Sequence, residues 1–293
     1  MKKTSFLIFF FSIFSLFVTA QKHKKFQIKL RESFQSEDTK PEPATFTFTK
    51  PKTGNESFLI DAALGVKLIS KANLSFSLFG EYHRNTLIDV AQNVIQGGTA
   101  LEWFTNKTFN VDDQKKNSST AIINLNGKYS KDVVAKAHSL QFTGEVTPLF
   151  LRKNSTNAFL PNDYHNHVGK AFDLLYIPAI GFEDQYTFQA ANDSAKGNVL
   201  RAVAKLYIGL RPLPQLLKSK IELFGSFNER YDVANSTKYN TRSHPLIQTG
   251  INFIIFEKNN QFAKIGASYN KGSNPAQGLI EQHYYLMSLK VKI

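Results

Sequence analysis

The sequence predicts an all-β protein, a closed antiparallel transmembrane up-and-down β-barrel of about twelve strands. Three observations predict it. Apolar and polar residues alternate at period two from residue 44 to the last residue. Charges sit on the polar face of nearly every strand candidate. The composition is rich in aromatics, 13% with 26 Phe and 11 Tyr, at a mean hydropathy of −0.27. Period-two alternation is the geometry of a strand with two different faces. Burying so many charges in a soluble sandwich is expensive unless each is paired. A barrel with a wet lumen keeps them in water and turns the apolar face to lipid. A soluble sandwich with its polar faces turned to solvent is the competing architecture.

Residues 1–20 read as a cleavable signal peptide. Lys2 and Lys3 precede an uncharged Phe/Leu/Ile-rich core over residues 6–18, and Val18-Thr19-Ala20 ends in a small residue before Gln21. The core is shorter than the roughly 20 apolar residues of a spanning helix, and its flanks match a secretory leader. The absence of cysteine excludes a lipoprotein anchor, disulfides, thiol chemistry and iron–sulfur ligation. Residues 21–43 are polar and charged and read as a flexible periplasmic N-terminal arm, with a short plug or an added strand as alternatives. Residues 44–293 form the barrel. A formal charge of +13 and a pI near 9.6 point, in an exported chain, to anionic lipid head groups and acidic solutes rather than to nucleic acid.

The strands follow in order. Residues 44–49 alternate Phe46 and Phe48 with threonines. Residues 58–68 set Ile60, Ala62, Leu64, Val66 and Leu68 against Asp61, Gly65 and Lys67. Residues 74–83 set Leu74, Phe76, Leu78 and Tyr82 against Ser75, Ser77, Glu81 and His83. Residues 94–104 oppose Leu101 and Trp103 to Gln96 and Glu102. Residues 121–130 oppose Ile123, Leu125 and Tyr129 to Asn124, Asn126 and Lys128. Residues 138–147 oppose Leu140, Phe142 and Val146 to Gln141, Thr143, Glu145 and Thr147.

The second half is more regular. Residues 172–186 form a long strand that Pro178 should bend or interrupt. Residues 199–211 alternate Leu200, Ala202, Ala204, Leu206, Ile208 and Leu210 with Arg201, Lys205 and Tyr207. Residues 220–228 alternate Ile221, Leu223 and Phe227 with Glu222, Ser226 and Asn228. Residues 246–256, 262–270 and 283–293 complete the set, with Lys264 and Lys290 on polar faces. Twelve is even, as a single-chain bacterial barrel requires. With the C-terminus on the periplasmic side, residues 105–119 and 150–171 fall among the turns expected to be short. Either those loops are unusual or a hairpin is hidden within residues 145–190.

The C-terminus carries the most specific pattern. Tyr285, Met287, Leu289, Val291 and Ile293 share one face and Ser288, Lys290 and Lys292 the other. This ending resembles the closing strand of outer-membrane barrels, which the barrel-assembly machinery reads; the family favours a terminal Phe, and Ile293 departs from it. With the Phe-rich leader and the Lys-rich polar face, the chain resembles uncharacterised outer-membrane β-barrel, porin-like proteins of Bacteroidota-type bacteria. The resemblance implies fold and an outer-membrane location, with outer-membrane lipid and the assembly machinery as partners. It brings no catalytic residues.

No nucleophile elbow, phosphate-binding loop or His-Glu-x-x-His motif is present. The His-x-Ser-Asn-Gly motif of barrel phospholipases is absent, since Gly272-Ser273-Asn274 lacks the preceding histidine. No cofactor is implied. His165 and His167 could place two imidazoles on one side of an extended segment, although a solvated loop is the preferred reading and no metal is expected. The candidate solute pathway is the polar face: Lys67, Glu81, Glu102, Lys128, Glu145, Arg201, Lys205, Glu222, Lys264 and Lys290. Its excess of cations would favour anions if the lumen is open. Pairs such as Glu222 with Arg201 or Lys205 would instead lock it shut. The expected function is a narrow pore for small, slightly anion-preferring solutes. A barrel enzyme acting on lipid or envelope polymer, and a closed structural or adhesion barrel, are the alternatives.

Overall fold

The structure, a computed structural model, describes residues 27–31, 44–49, 57–71, 73–86, 92–106, 118–151, 160–162, 166–168, 170–239, 241–258, 261–273 and 281–292. The leader read over residues 1–20 lies outside them. The strands are β1 (Gln27–Arg31), β2 (Ala44–Thr49), β3 (Ser57–Lys71), β4 (Leu74–Asn85), β5 (Gln92–Phe104), β6 (Ser118–Asp132) and β7 (Ala137–Leu151). They continue as β8 (Asn166–Val168), β9 (Phe172–Gln189), β10 (Gly197–Pro212), β11 (Ile221–Asn235), β12 (Leu246–Lys258), β13 (Gln261–Ser273) and β14 (Glu281–Lys292). A single 3-10 turn, Asp193–Ala195, accompanies them, and no α-helix occurs among the described residues.

Twelve strands, β2–β7 and β9–β14, make one antiparallel up-and-down sheet, and each of the twelve expected segments is one of them. Pairing runs from β4 through β5, β6, β7, β9, β10, β11, β12 and β13 to β14. β14 then meets β2 over three residue pairs, Leu289↔Phe46, Lys290↔Thr45 and Val291↔Ala44. β2 pairs β3, and β3 pairs β4.

β1 lies within the segment read as a flexible arm, and there the added-strand alternative describes it. It pairs β3 from Gln27↔Lys67 to Arg31↔Ala63, and β2 continues along the same edge from Thr45↔Asp61 to Thr49↔Ser57. The two are pieces of one composite strand along β3. Gln27-Ile28-Lys29-Leu30-Arg31 has the alternation that pairing there requires.

The loop parity resolves without a further hairpin in the described residues. The rim where β14 ends, here the C-terminal rim, carries connections 72–73, 105–117, 152–171, 213–220 and 259–260. The opposite rim carries 50–56, 86–91, 133–136, 190–196, 236–245 and 274–280. Both long connections that broke the parity join strand ends at the C-terminal rim, and among the described residues of 152–171, β8 pairs the start of β9. Pro178 does not break β9, which stays in register with β10 from Phe172 to Thr187. The interruption is on its other edge, where the ladder with β7 stops at Val146↔Ile180. A proline has no N–H to offer a ladder.

Burial is inverted relative to an ordinary globular core. Among the described residues, buried polar side chains outnumber buried apolar ones about two to one. The opposite face exposes large apolar side chains on strand after strand, including Leu78, Ile95, Phe142, Ile180, Phe182, Leu206, Ile251, Phe253, Ile265 and Met287. Apolar side chains on the inner face gather in two small groups. Ala63 and Phe79 pack with Ala100, and Ile122 and Leu149 pack with Phe104.

Candidate functional site: the ion-paired inner wall

Of the ten expected pathway residues, Glu81, Glu102, Lys128, Glu145, Arg201, Glu222 and Lys264 are buried on this face. Lys67, Lys205 and Lys290 are half-buried. Alternation along each strand puts them there, and ladder register decides which of them meet.

Toward the opposite rim on β3, β4 and β6, His83 stands between two carboxylates. Its Nδ1 is 3.0 Å from Asp61 and its Nε2 3.2 Å from Glu81. Satisfying both contacts takes two N–H donors. Lys128 Nζ donates to Glu81 at 3.3 Å and to Gln96 Oε1 at 2.6 Å, and Gln96 Nε2 donates to Ser130 at 3.1 Å.

A second cluster joins β9, β10 and β11. Arg201 donates to Glu183 at 2.6 Å, to Gln185 at 2.9 Å and to Asp232 at 3.0 Å. Arg230 reaches the other oxygen of Glu183 at 3.4 Å, and His244 Nε2 lies 3.3 Å from Asp232.

The third cluster is at the C-terminal rim. Glu222 accepts from Tyr207 at 2.6 Å, Lys264 at 3.0 Å and Asn252 at 3.4 Å, with Arg211 at 3.6 Å. Arg211 also grips Glu257 at 2.7 and 3.0 Å. At mid-height Lys205 pairs with Glu145.

Two expected pairings are corrected. Glu222 meets neither Arg201 nor Lys205. Register aligns Arg201 with Asp232 and Lys205 with Asn228, while the last ladder pair is Leu210↔Leu223. Glu222 therefore sits level with Arg211, about ten residues along β10 from Arg201.

Arg230 and Asp232 escaped the sequence reading because β11 was ended at residue 228. The alternation Glu222, Ser226, Asn228, Arg230, Asp232 continues to Asn235 and could have extended it. Glu183 lay beyond Pro178 in a segment expected to be irregular.

The accessible charge on this wall differs from its total charge. The acids Asp61, Glu81, Glu102, Glu145, Glu183, Glu222 and Asp232 are all buried. Half-exposed Asp132 and Asp173 and exposed Glu257 each lie within one residue of a strand end. Lys67, Lys205 and Lys290 keep partial exposure. Lys290 lies with Nζ 4.5 Å from the Phe224 ring, three strands away, a cation–π contact.

His165 lies outside the described residues. His167 belongs to β8, where its backbone pairs with Asp173. Among the described residues no group of three or more His, Cys, Asp or Glu is arranged to hold a metal ion. His83 and His244 face carboxylates and His138 faces Tyr129, contacts unlike the serine–histidine pair a barrel hydrolase would use. No family model matches the chain, and no curated protein or solved structure matches it either.

Proposed function

We propose that the chain is an outer-membrane β-barrel forming a narrow passage for small solutes, with a preference for anions. Closure is supported by the pairings at the ends of the sheet, where β14 joins β2, β2 joins β3 and β3 joins β4. Insertion in a membrane is supported by the inverted burial. In water that apolar face would be a contiguous patch far beyond what soluble monomers expose, and in lipid it is the required surface.

Aromatics lie at both margins of the exposed face. Tyr129, His138 and Phe188 cluster toward the opposite rim, as do Tyr269 and Tyr285 with ring centroids 5.0 Å apart. Trp103, Phe172, Phe253 and Phe256 lie toward the C-terminal rim. On β9, Tyr176 and Tyr186 bracket Ile180 and Phe182. Ten residues of a strand tilted at about 40° rise about 25 Å, the height of an outer-membrane apolar band. The exposed alternation of β14 also suits recognition by the barrel-assembly machinery, in keeping with the resemblance its last residues carry.

The observation behind the anion preference is the sorting of charge by exposure: buried acids and half-exposed Lys67, Lys205 and Lys290. A permeating ion would meet the cations, whose field a low-dielectric wall focuses. Purified protein in planar bilayers under a KCl gradient should give a small conductance with a reversal potential favouring chloride. Lys205→Glu should move that potential toward potassium.

The sealed structural barrel is the second reading, and it is favoured by the near-complete burial of the paired charges. It predicts a silent bilayer from protein that still shows heat-modifiable gel migration. A soluble product with no such shift would overturn the barrel itself.

A further inference from the structure

We infer that the inner wall of β6 and β7 at the C-terminal rim binds a single-chain amphiphile with an uncharged, hydrogen-bonding head, beside a break in the wall; this rests on the membrane-barrel reading above. The break is defined by three ladders. β6 pairs β7 as far as Leu151, and β10 pairs β9 as far as Phe172. The ladder joining β7 to β9 stops at Val146↔Ile180. Along the rest of β9, Asn162 and β8 lie against its edge. Asn162 N–H donates to the Tyr176 carbonyl at 2.7 Å, and β8 pairs residues 172–174. In the described residues no ladder joins Thr147–Leu151 to anything but β6.

Behind the break the inner face changes character. Ile122 and Leu149, packed with Phe104, replace the charges found elsewhere, and Leu175 on β9 is fully buried. Immediately deeper on the same two strands, Thr147 Oγ1, Asn124 Nδ2 and Asn126 Oδ1 are buried with no hydrogen-bond partner. Their residues are 1%, 5% and 3% exposed. Ladder register sets Thr147 opposite Ile122, Asn124 opposite Glu145 and Asn126 opposite Thr143.

An orphaned buried polar atom carries a desolvation penalty, and Thr147 Oγ1 and Asn124 Nδ2, two residues apart along the ladder with Asn126 Oδ1 two further in, point to a partner. Together they present one donor, one acceptor and one hydroxyl that does either. A glycerol-like, hydroxyl or amide head matches that set. The two carboxylates level with Asn124, Glu145 on β7 and Glu102 on β5, are both already engaged, Glu145 by Lys205, so a charged head gains no counter-ion there. The apolar patch beside the break then takes the start of the chain.

The test uses the full chain in phosphatidylcholine vesicles doped with a monoacylglycerol carrying a diazirine in its acyl chain. Adducts are mapped by peptide mass spectrometry after irradiation. The expected result is labelling of inward Ile122, Leu149 or Leu175 together with outward Ile180 and Leu206. Labelling confined to outward residues overturns the site and leaves the barrel standing. No labelling at all, with the protein in the aqueous fraction, overturns the barrel reading beneath it. Thr147→Val keeps the shape and removes the hydroxyl. It should lower inward labelling about 3- to 10-fold, the worth of one hydrogen bond, with outward labelling unchanged. Inward labelling unaltered by Thr147→Val overturns the head-group assignment.

Discussion

Replacing Glu222 by glutamine tests whether the ion-paired wall is dry. The side chain is 1% exposed and holds Lys264 at 3.0 Å, with Arg211 at 3.6 Å. Glutamine keeps the shape, and its carbonyl still accepts from Tyr207 and Asn252. Lys264 then faces an amide beside a guanidinium, a buried cation without its counter-charge. Removing one partner of a buried pair costs about 3–5 kcal/mol, whereas a solvated pair is worth under about 1 kcal/mol. Urea unfolding from phospholipid vesicles reads the difference through Trp103, the single tryptophan, which faces outward at 42% exposure. Adding Lys264→Met to Glu222→Gln should recover part of the loss by removing the orphaned ammonium. A single-mutant cost below about 1 kcal/mol would mean that the cluster is wet. The division of the wall into a dry scaffold and accessible cations would then be wrong.

Three further outcomes are expected. Cysteines at Phe46 and Leu289, register partners on β2 and β14, should form a disulfide in a chain that otherwise has none, because opposed residues in an antiparallel pair have a suitable Cα separation; failure to cross-link in folded protein, by non-reducing gel, would refute closure. Ile180→Lys places a charge on a residue 68% exposed, so it should be harmless in water but cost about 2–4 kcal/mol on a lipid face; vesicle unfolding midpoints decide between the two. Gly272 has φ +120 and a Cβ there would run into the Pro245 carbonyl, so Gly272→Ala should cost about 1–3 kcal/mol, and an unchanged midpoint would contradict the strained backbone.

The fold was legible because period-two alternation is a local property. Residues 74–83 sorted into Leu74, Phe76, Leu78 and Tyr82 against Ser75, Ser77, Glu81 and His83 without reference to any neighbour, and β4 keeps that sorting. Register was not legible. Whether Glu222 stands level with Arg201 or Arg211 depends on where the turn over residues 213–220 tightens, and Leu213, Lys218 and Ser219 there take positive φ. The alternation of Gln27–Arg31 was present, but flanking charge disguised it, and only the open edge of β3 makes it a strand. Pro178 marked an irregularity correctly in place but not in kind. A proline spoils one edge of a strand, and sequence alone does not say which edge needs the missing donor.

The ion pairs of the inner wall share a geometry. Lys128–Glu81 skips over β5, Lys205–Glu145 over β9, Arg230–Glu183 over β10 and Lys264–Glu222 over β12. Two strand spacings are about 10 Å, a span that an extended Lys or Arg and a Glu bridge together while lying along the wall. Two of the four bridges cross a strand that presents little there. Gly98 stands opposite Lys128, and Ala179 and Gly181 stand opposite Lys205 and Glu145. A Cβ on Gly98 would press on the Lys128 backbone, and one on Gly181 would press on that of Glu145. At these two crossings small residues let the bridge lie flat, whereas Arg230–Glu183 passes Val203 on β10 and Lys264–Glu222 passes Ile254 and Asn252 on β12. The bridges cover the acids and brace neighbouring strands. In the proposed passage the half-exposed Lys67, Lys205 and Lys290 would set the charge that a solute meets.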